Sequence, residues 1–278
     1  MMKKTLLGIS LSLSLALAYN TQEISGFQSP ESVYATNEAV FVSNLGKEVK
    51  PLDKDNDGFI IKMSKDGKVL DKIGNLNAPK GMSVIGNVLY VSDIDTIKGF
   101  DLKTLKQVFA LPIKNAVFLN DLSTDGKTLY VSDTGSGKIY TLDVNKKSYK
   151  EFMALDVAKY GGGPNGLLLK DNNLWVVTYD PNGKLEGVVL KISLQNKEIR
   201  IFSEAKGFLD GITEDDQGNI LVSSWGKNLN GVVYKISNDQ KVKTLPIRAV
   251  KGCADIFYAQ KTLWIPAMLE NKVLKITK

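Results

Sequence analysis

Short apolar runs, rather than long helical stripes, make up most of the chain. After residue 27 almost no segment shows the three-to-four-residue spacing of an amphipathic helix. Runs rich in Val, Tyr, Trp and Ile recur instead between turn residues: AVFVSNL, VLYVSDI, TLYVSDT, LWVVTYD, NILVSSW and TLWIPAM. Runs of this length and composition predict β-strands. The chain is therefore expected to be all-β.

Each run belongs to a larger unit that occurs six times. A shorter strand precedes the run and begins PESV, PKGM, LNDL, PNGL, LDGI or CADI. A third strand follows it, and in five units a fourth. Four strands that repeat about every 40–45 residues predict a blade of a β-propeller, and six units predict six blades. An irregular β-sandwich is the alternative, but it provides no reason for six repeats of one strand pattern.

The sixth unit ends at Lys278 after only three strands. A blade with a missing strand would leave open edges that invite aggregation. The segment TQEISGF (21–27) precedes the first unit and has the composition of a strand. We predict that it closes the ring by pairing with KVLKIT, so that residues 19–278 form a single six-bladed domain.

The first 18 residues have the features of a signal peptide. MMKK is basic, TLLGISLSLSLALA is apolar, and Ala16-Leu17-Ala18 fits a small-x-small cleavage site. The alternative is an uncleaved membrane anchor, but the apolar stretch is shorter than the roughly 20 residues that span a bilayer. We therefore expect cleavage, a periplasmic or secreted protein, and no stable membrane insertion.

Composition excludes several functional classes. The net charge of +6 is spread along 278 residues without a basic run of five, so a nucleic-acid groove is not expected. The chain has no histidine, which excludes Ser-His-Asp and Cys-His catalysis and His-ligated zinc. Its one cysteine, Cys253, cannot form an internal disulfide and is expected to be an inert packed thiol.

Each of the six units begins with a four-residue segment such as PESV or LDGI. The second residues of these segments occupy equivalent places in the six blades, so their side chains should converge at one mouth of the central channel. Because side chains alternate along a strand, the residue after each is expected to face away. The converging residues are Glu31, Lys80, Asn120, Asn165, Asp210 and Ala254. Two carboxylates and two amide oxygens suit a hard divalent cation; calcium fits best, and magnesium and manganese stay open. The alternative is that these residues only make turns at the blade entries.

A second acidic stretch, DKDNDG at 53–58, resembles the opening of a calcium loop of the EF-hand type. The twelfth position counted from Asp53 is Ser64, where such a loop requires a glutamate, and the flanking segments are strands. We therefore interpret it as the loop between the second and third strands of the first blade. If it contributes to the site, it is expected to close over the channel mouth.

Four sequence segments resemble the senescence marker protein/gluconolactonase family, which includes regucalcin and sugar-lactone lactonases. They are SPESV, LNDLSTDGKTLYVSD, GGGPNGLLL and GFLDGITEDDQGNILVSSWG, in the family's order and spacing. The calcium propellers diisopropyl fluorophosphatase and paraoxonase share this plan. The resemblance implies that Glu31, Asn165 and Asp210 are metal ligands, with Asn120 a fourth ligand or a substrate contact.

The resemblance also implies hydrolysis of a small-molecule lactone or ester, with the metal polarising the carbonyl. Asp210 is the candidate general base. Gluconolactonase-like members often carry an arginine two residues before the third-unit asparagine, where this chain has Phe118. That difference disfavours a sugar acid and favours a more apolar substrate.

Lys80 adds a positive charge near the ring, which would either repel the cation or bind an anionic substrate group. Its alternative role is a side chain that reaches out to solvent. A propeller that binds a protein, peptide or glycan without catalysis, with a structural metal or none, remains the second functional hypothesis.

Overall fold

Six antiparallel sheets follow one another along the chain in the computed structural model, which describes residues 19–278. The predicted signal peptide, residues 1–18, lies outside the described residues. In the first three blades the strands pair in chain order, from the innermost to the outermost. These strands are β2 (Pro30–Ala35), β3 (Val40–Asn44), β4 (Gly58–Met63) and β5 (Val69–Leu76); β6 (Pro79–Ile85), β7 (Val88–Asp93), β8 (Thr96–Asp101) and β9 (Gln107–Pro112); and β10 (Leu119–Thr124), β11 (Thr128–Asp133), β12 (Lys138–Asp143) and β13 (Ser148–Ala154).

The other three blades repeat this plan with two variations. The fifth blade has an extra short strand that pairs with its third strand, and the sixth begins with isolated bridges before its first strand. The strands are β14 (Gly163–Lys170), β15 (Asn173–Tyr179), β16 (Gly187–Ser193) and β17 (Ile199–Gly207); β18 (Leu209–Glu214), β19 (Ile220–Ser224), β20 (Asn230–Ile236), β21 (Val242–Thr244) and the extra β22 (Val250–Lys251); and β23 (Phe257–Ala259), β24 (Thr262–Ala267) and β25 (Lys272–Thr277). Two single 3₁₀ turns, Lys227–Leu229 and Met268–Glu270, are the helical elements among residues 19–278.

The N-terminal segment closes the ring. Strand β1 (Asn20–Ser25) pairs antiparallel with β25 over six positions and becomes the outermost strand of the sixth blade. Ile24 and Phe27 are buried among apolar side chains of the sixth and first blades, including Trp264 and Val273. The predicted six-bladed all-β fold and its closure by TQEISGF are therefore confirmed.

The hydrophobic core is divided among the interfaces between blades. Six apolar clusters each join two neighbouring blades, because one face of every sheet packs against the next sheet around the ring. A seventh, smaller cluster lies near the channel mouth and contains Leu45, Ala254 and Met268. None of the described residues forms a helix long and apolar enough to cross a membrane.

Candidate functional site

The innermost strands of the first five blades carry a bulge at the same place. The register with the second strand shifts between Leu119 and Leu122 in the third blade, and between Leu209 and Ile212 in the fifth. The bulge lets two successive residues of each strand turn toward the channel. The strict alternation expected from the sequence is therefore wrong here, and a second layer of side chains lies below the first.

A serine at the end of the second strand holds each of two bulges in place. Ser132 Oγ accepts the backbone N–H of Asp121 at 2.8 Å and donates to the carbonyl of Asn165 in the next blade at 2.6 Å. Ser223 makes the same two contacts, with the N–H of Gly211 and the carbonyl of Ala254. The backbone of the site is thus tied from one blade to the next.

Replacement of Ser132 tests how much its hydrogen bonds between the third and fourth blades contribute to stability. We expect Ser132→Ala to lower the free energy of unfolding by about 1–3 kcal/mol, because it leaves the buried Asp121 N–H and Asn165 carbonyl without a partner. Ser148→Ala, on an exposed strand end, is the control and should change it by less than about 0.5 kcal/mol. Urea denaturation measures both; equal effects would contradict this role of Ser132.

One cavity of about 180 Å³ at the channel mouth contains all the predicted site residues. It is lined by Glu31, Lys80, Phe118, Asn120, Asn165 and Asp210, together with apolar side chains such as Val49 and Met268. The sixth ring position, Ala254, is packed in the small apolar cluster below the mouth and does not line this cavity. The tertiary structure therefore brings together five of the six predicted ring positions and Phe118.

Two oxygen atoms in this cavity lack partners. Glu31 Oε2 and Asn165 Oδ1 are buried, and neither has a hydrogen-bond partner in the described part of the chain. Asn165 donates its amide N–H to Asp210 Oδ1 at 3.3 Å, and Trp225 Nε1 donates to Asp210 Oδ2. Asn120 donates its amide N–H to Thr134 Oγ1 at 3.2 Å. The amide oxygens and carboxylates are thus held as acceptors.

The oxygen atoms that line the mouth cavity belong to both carboxylates and amides, and this combination suits a hard cation. Within residues 19–278, no three His, Cys, Asp or Glu side chains form a group that could hold a metal ion by themselves. The mouth cavity instead combines two carboxylates, Glu31 and Asp210, with the amides Asn120 and Asn165. Unsatisfied buried oxygens cost free energy, and a calcium-like ion with water would satisfy them.

Burial controls the titration of these carboxyls. It raises the pKa of Glu31 well above 4.5, helped by the neighbouring Asp210 and opposed by the charge of Lys80. Burial also raises the pKa of Asp210 to about 6, against the hydrogen bonds from Trp225 and Asn165. Both carboxyls therefore ionise less readily than in water when no cation is bound.

Lys80 points into the protein, so the alternative that it reaches out to solvent is wrong. It is 1% exposed, and its Nζ donates to the carbonyl of Pro51 at 2.7 Å and that of Ala78 at 2.9 Å. The ammonium also lies 4.9 Å from the centre of the Phe118 ring. Burial lowers its pKa to about 8, opposed by the charges of Glu31 and Asp93. Lys80 thus keeps one N–H beyond these two contacts for a ligand.

The DKDNDG segment lies in the loop between β3 and β4, as predicted, and this loop covers part of the mouth. Val49 and Pro51 from the loop line the cavity. The acidic residues at its end bind their own backbone: Asp57 Oδ2 accepts the N–H of Lys47 at 3.1 Å, and Asp55 Oδ1 accepts that of Asp57 at 3.2 Å. The loop therefore contributes a wall to the site.

Sequence reasoning missed the second layer of the channel. Asp121 and Asp255 are buried below the mouth; Asp121 accepts the N–H of Leu167 and Asp255 accepts the hydroxyl of Ser32. Burial raises the pKa of Asp121 to about 7 and that of Asp255 well above 3.8. The sequence did contain a sign of this second layer. The residue directly after the predicted channel-facing residue is Gly or Ser in four units and aspartate in these two.

Tyr179 and Trp225 were also missed, although both line the mouth. Tyr179 is the last residue of β15 and Trp225 directly follows β19. Other units carry Leu45, Thr134 or Met268 at the equivalent place, so the sequence showed no common residue type. Burial, with the charges of Asp210 and Asp180, raises the pKa of Tyr179 to about 12, so its phenol stays a neutral donor.

Cys253 is fully buried, and burial raises the pKa of its thiol, which agrees with an inert packed residue.

The fold is shared with solved structures that have different names. Virginiamycin B lyase from Staphylococcus aureus aligns with a TM-score of 0.61 and 16% identity, covering 94% of this chain and 100% of that chain. A Bacteroides thetaiotaomicron protein of unknown function aligns with a TM-score of 0.71 and 16% identity, covering 94% of this chain and 76% of that one. A protein provisionally named a gluconolactonase aligns with a TM-score of 0.68 and 16% identity, covering 94% and 92%. At these identities the likeness shows the propeller fold.

Sequence comparison adds one relative. Antigen Lp49 of Leptospira interrogans is 31% identical over 140 residues, which cover 44% of this chain and 29% of that protein. The matched part therefore spans less than a third of the relative's length. No model of a known protein family matches the chain. The comparisons support a propeller with a gluconolactonase-like structural neighbour, and the finer family assignment rests on the sequence resemblance.

Proposed function

We propose that this protein is an exported, metal-dependent hydrolase that opens a lactone or cleaves an ester at the channel mouth. The observation that carries the proposal is the pair of buried, unpartnered oxygens, Glu31 Oε2 and Asn165 Oδ1, in one cavity with Asp210 and Asn120. Native structures rarely leave such atoms unsatisfied without a functional reason. A divalent cation, calcium in the first place, is the ligand that this donor set supports.

A cation held by these residues would polarise the substrate carbonyl and favour ionisation of a bound water. The chain's own groups would perform the remaining tasks. Asp210, which accepts hydrogen bonds from Trp225 and Asn165, would take the proton of the attacking water. The phenol of Tyr179 lies at the same mouth and can donate to a substrate oxygen.

Two further features suggest the kind of substrate. Phe118 and neighbouring aliphatic side chains give the cavity an apolar wall, where the gluconolactonase-like pattern has an arginine. Lys80 has an N–H available for a carbonyl or carboxylate oxygen of the ligand. A lactone or ester that is largely apolar, with one oxygen close to Lys80, fits this lining. Export rests on the predicted signal peptide and belongs to the proposal.

One observation favours the second hypothesis, a propeller that binds its ligand without catalysis. The charge of the buried Lys80 ammonium opposes the rise that burial causes in the pKa of Glu31. Lys80 therefore supplies part of the positive charge that a metal would bring. In this case the mouth would bind a peptide, protein or glycan and no metal would be required.

Metal binding and hydrolysis can be tested together. Metal analysis of the purified protein, calcium titration by calorimetry, and a panel of lactones and aryl esters are the measurements. We expect stoichiometric divalent metal, and Asp210→Asn should weaken calcium binding at least tenfold and reduce hydrolysis to background. The control is Asp71→Asn, an exposed aspartate on β5, which should behave as the parent protein.

The outcomes separate the two hypotheses. Firm metal binding without hydrolysis of any substrate in the panel would favour the binding module. Absence of divalent metal, together with unchanged activity in Asp210→Asn, would contradict the assignment of the site.

A further inference from the structure

A second cavity adjoins the channel mouth between the fourth and fifth blades. It has a volume of about 280 Å³ and shares Tyr179, Pro181 and Trp225 with the mouth cavity. Beyond these three residues it is lined by Phe208 and Leu229, with the amides of Asn182 and Asn228 at its rim. We call this second cavity the side trough. Because three residues border both spaces, the side trough lies directly beside the mouth cavity.

The walls of the side trough are held rigidly. Asp180 accepts the backbone N–H groups of Asn182, Lys184 and Leu185, each at 3.0 Å, and so fixes the loop from the fourth blade. On the other side, the N–H of Trp225 donates to the carbonyl of Phe208 at 2.9 Å. These hydrogen bonds fix the backbone on both sides of the side trough, which limits the conformational entropy that binding would cost.

A turn in left-handed backbone places Leu229 at the far end of the side trough. Gly226, Asn228 and Leu229 have φ values of 67°, 55° and 60°. A Cβ at Gly226 would lie 2.1 Å from the carbonyl oxygen of Asn230, so glycine is required there. Leu229 is 49% exposed, so its side chain is accessible to a ligand in the side trough.

The chemistry of the lining selects an aromatic group. Three aromatic side chains, Tyr179, Phe208 and Trp225, border the side trough, and its lining among the described residues contains no charged side chain. Aromatic pairs gain about 0.5–1.5 kcal/mol beyond their buried area. The indole N–H of Trp225 is already bound to Asp210, so Trp225 offers a ring and no free donor.

We infer that the side trough is a specificity subsite for a planar apolar group, so that the substrate is an aryl-bearing lactone or ester whose carbonyl lies at the mouth. This inference rests on the proposed function for the position of the carbonyl. The subsite itself rests on the adjacency of the two cavities, which share three lining residues, and on the aromatic lining. It places the aryl group between the fourth and fifth blades, whereas Lys80 lies in the second blade.

Binding of lactams tests the subsite separately from hydrolysis, because a lactam keeps the ring carbonyl and resists cleavage. The probes are 5-phenyl- and 5-methylpyrrolidin-2-one, titrated in calcium-containing buffer by calorimetry and by tryptophan fluorescence. Trp175 and Trp264 are 4% and 2% exposed, so a change of fluorescence would report on Trp225. We expect the phenyl probe to bind at least tenfold more tightly than the methyl probe.

Variants at the far end of the side trough locate the effect. Leu229→Asp should reduce the advantage of the phenyl probe about tenfold, because it introduces a charge beside the bound ring. Leu229→Phe should keep the advantage. Leu269→Asp is the matched control, since Leu269 is 40% exposed on a loop of the sixth blade and does not line the side trough.

Equal binding of the two probes, or no detectable binding of either at millimolar concentration, would overturn the inference. The inference would also be overturned if the phenyl probe still bound more tightly than the methyl probe by the same factor in Leu229→Asp. The same holds if Leu269→Asp reduced this factor as much as Leu229→Asp does. If the phenyl lactam binds as expected while no lactone or ester is hydrolysed, the subsite stands and the proposed hydrolase activity fails.

Discussion

A chain that begins at Gln28, and so lacks β1 and Phe27, is expected not to fold stably, whereas a chain that begins at Tyr19 should fold cooperatively. Removal of the segment exposes the whole edge of β25, which pairs with β1 over six positions. It also removes Ile24 and Phe27 from the cluster between the sixth and first blades. Each buried side chain contributes about 1.5–3 kcal/mol. Together with the lost strand pairing, the cost approaches the total stability of 5–15 kcal/mol typical of domains.

Point variants give a graded version of the same test. Phe27→Ala should lower the free energy of unfolding by about 3–5 kcal/mol, because Phe27 is 5% exposed between two blades. Circular dichroism, size-exclusion chromatography and urea denaturation are the measurements. Val69→Ala, at an exposed position on β5, is the control and should have little effect. If the chain from Gln28 unfolds within about 1 kcal/mol of the chain from Tyr19, closure by β1 is not a main source of stability.

In buffer without divalent cations, Asp210 is expected to destabilise the folded protein at neutral pH. Its pKa is raised by burial to about 6 in the folded state, above the ordinary value of 3.8. The folded state therefore holds this proton more tightly than the unfolded state. The resulting stabilisation is complete below about pH 4 and is lost as the pH rises through 6. The shift of about two pKa units corresponds to about 3 kcal/mol.

The direction of this pH dependence can be compared with that of a carboxyl whose pKa is lowered in the folded state. Without cations, Asp210→Asn should gain stability relative to the parent protein as the pH rises from about 4 to about 7.5. Burial raises the pKa of Asp215, but hydrogen bonds from Lys235 and Asn219 outweigh burial and leave the pKa below 3.8. Asp215→Asn should therefore lose stability relative to the parent as the pH rises through about 3.8, and the difference should stay almost constant above about pH 5.

Urea denaturation as a function of pH measures both variants. Calcium should stabilise the parent protein at neutral pH and have a much smaller effect on Asp210→Asn, because a ligand that binds only the folded state raises its stability. If the free energy of unfolding depends on pH in the same way for the parent and Asp210→Asn, the pKa of Asp210 is not raised in the folded protein.

The repeat in the sequence was sufficient to predict the fold because each blade is a local unit. Four strands of period-two pattern, separated by short turns, pair with their neighbours in the chain, and the same pattern recurs at TLYVSDT and NILVSSW. The missing strand of the sixth blade was predictable for the same reason. An unpaired edge at KVLKIT required a partner, and TQEISGF was the segment available.

The positions of the site residues were also predictable, because equivalent places in a ring converge on its axis. Glu31, Asn120, Asn165 and Asp210 lie in one cavity for this reason, although they are far apart in the sequence. The sequence could not show that Lys80 would donate to the carbonyl of Pro51 in a neighbouring loop. That contact depends on the path of a loop that no periodic pattern describes.

The sequence alone determined the number of blades, the strand that closes the ring and five of the ring side chains that line the channel mouth. Each of these follows from short-range strand pairing repeated at a constant interval. Only the tertiary structure decided that a bulge turns Asp121 into the channel beside Asp255 of the sixth blade, and that Tyr179, Phe208 and Trp225 form a trough beside the mouth. These features arise where separate blades and loops pack together, and the contacts between them depend on backbone irregularities that the strand pattern does not encode.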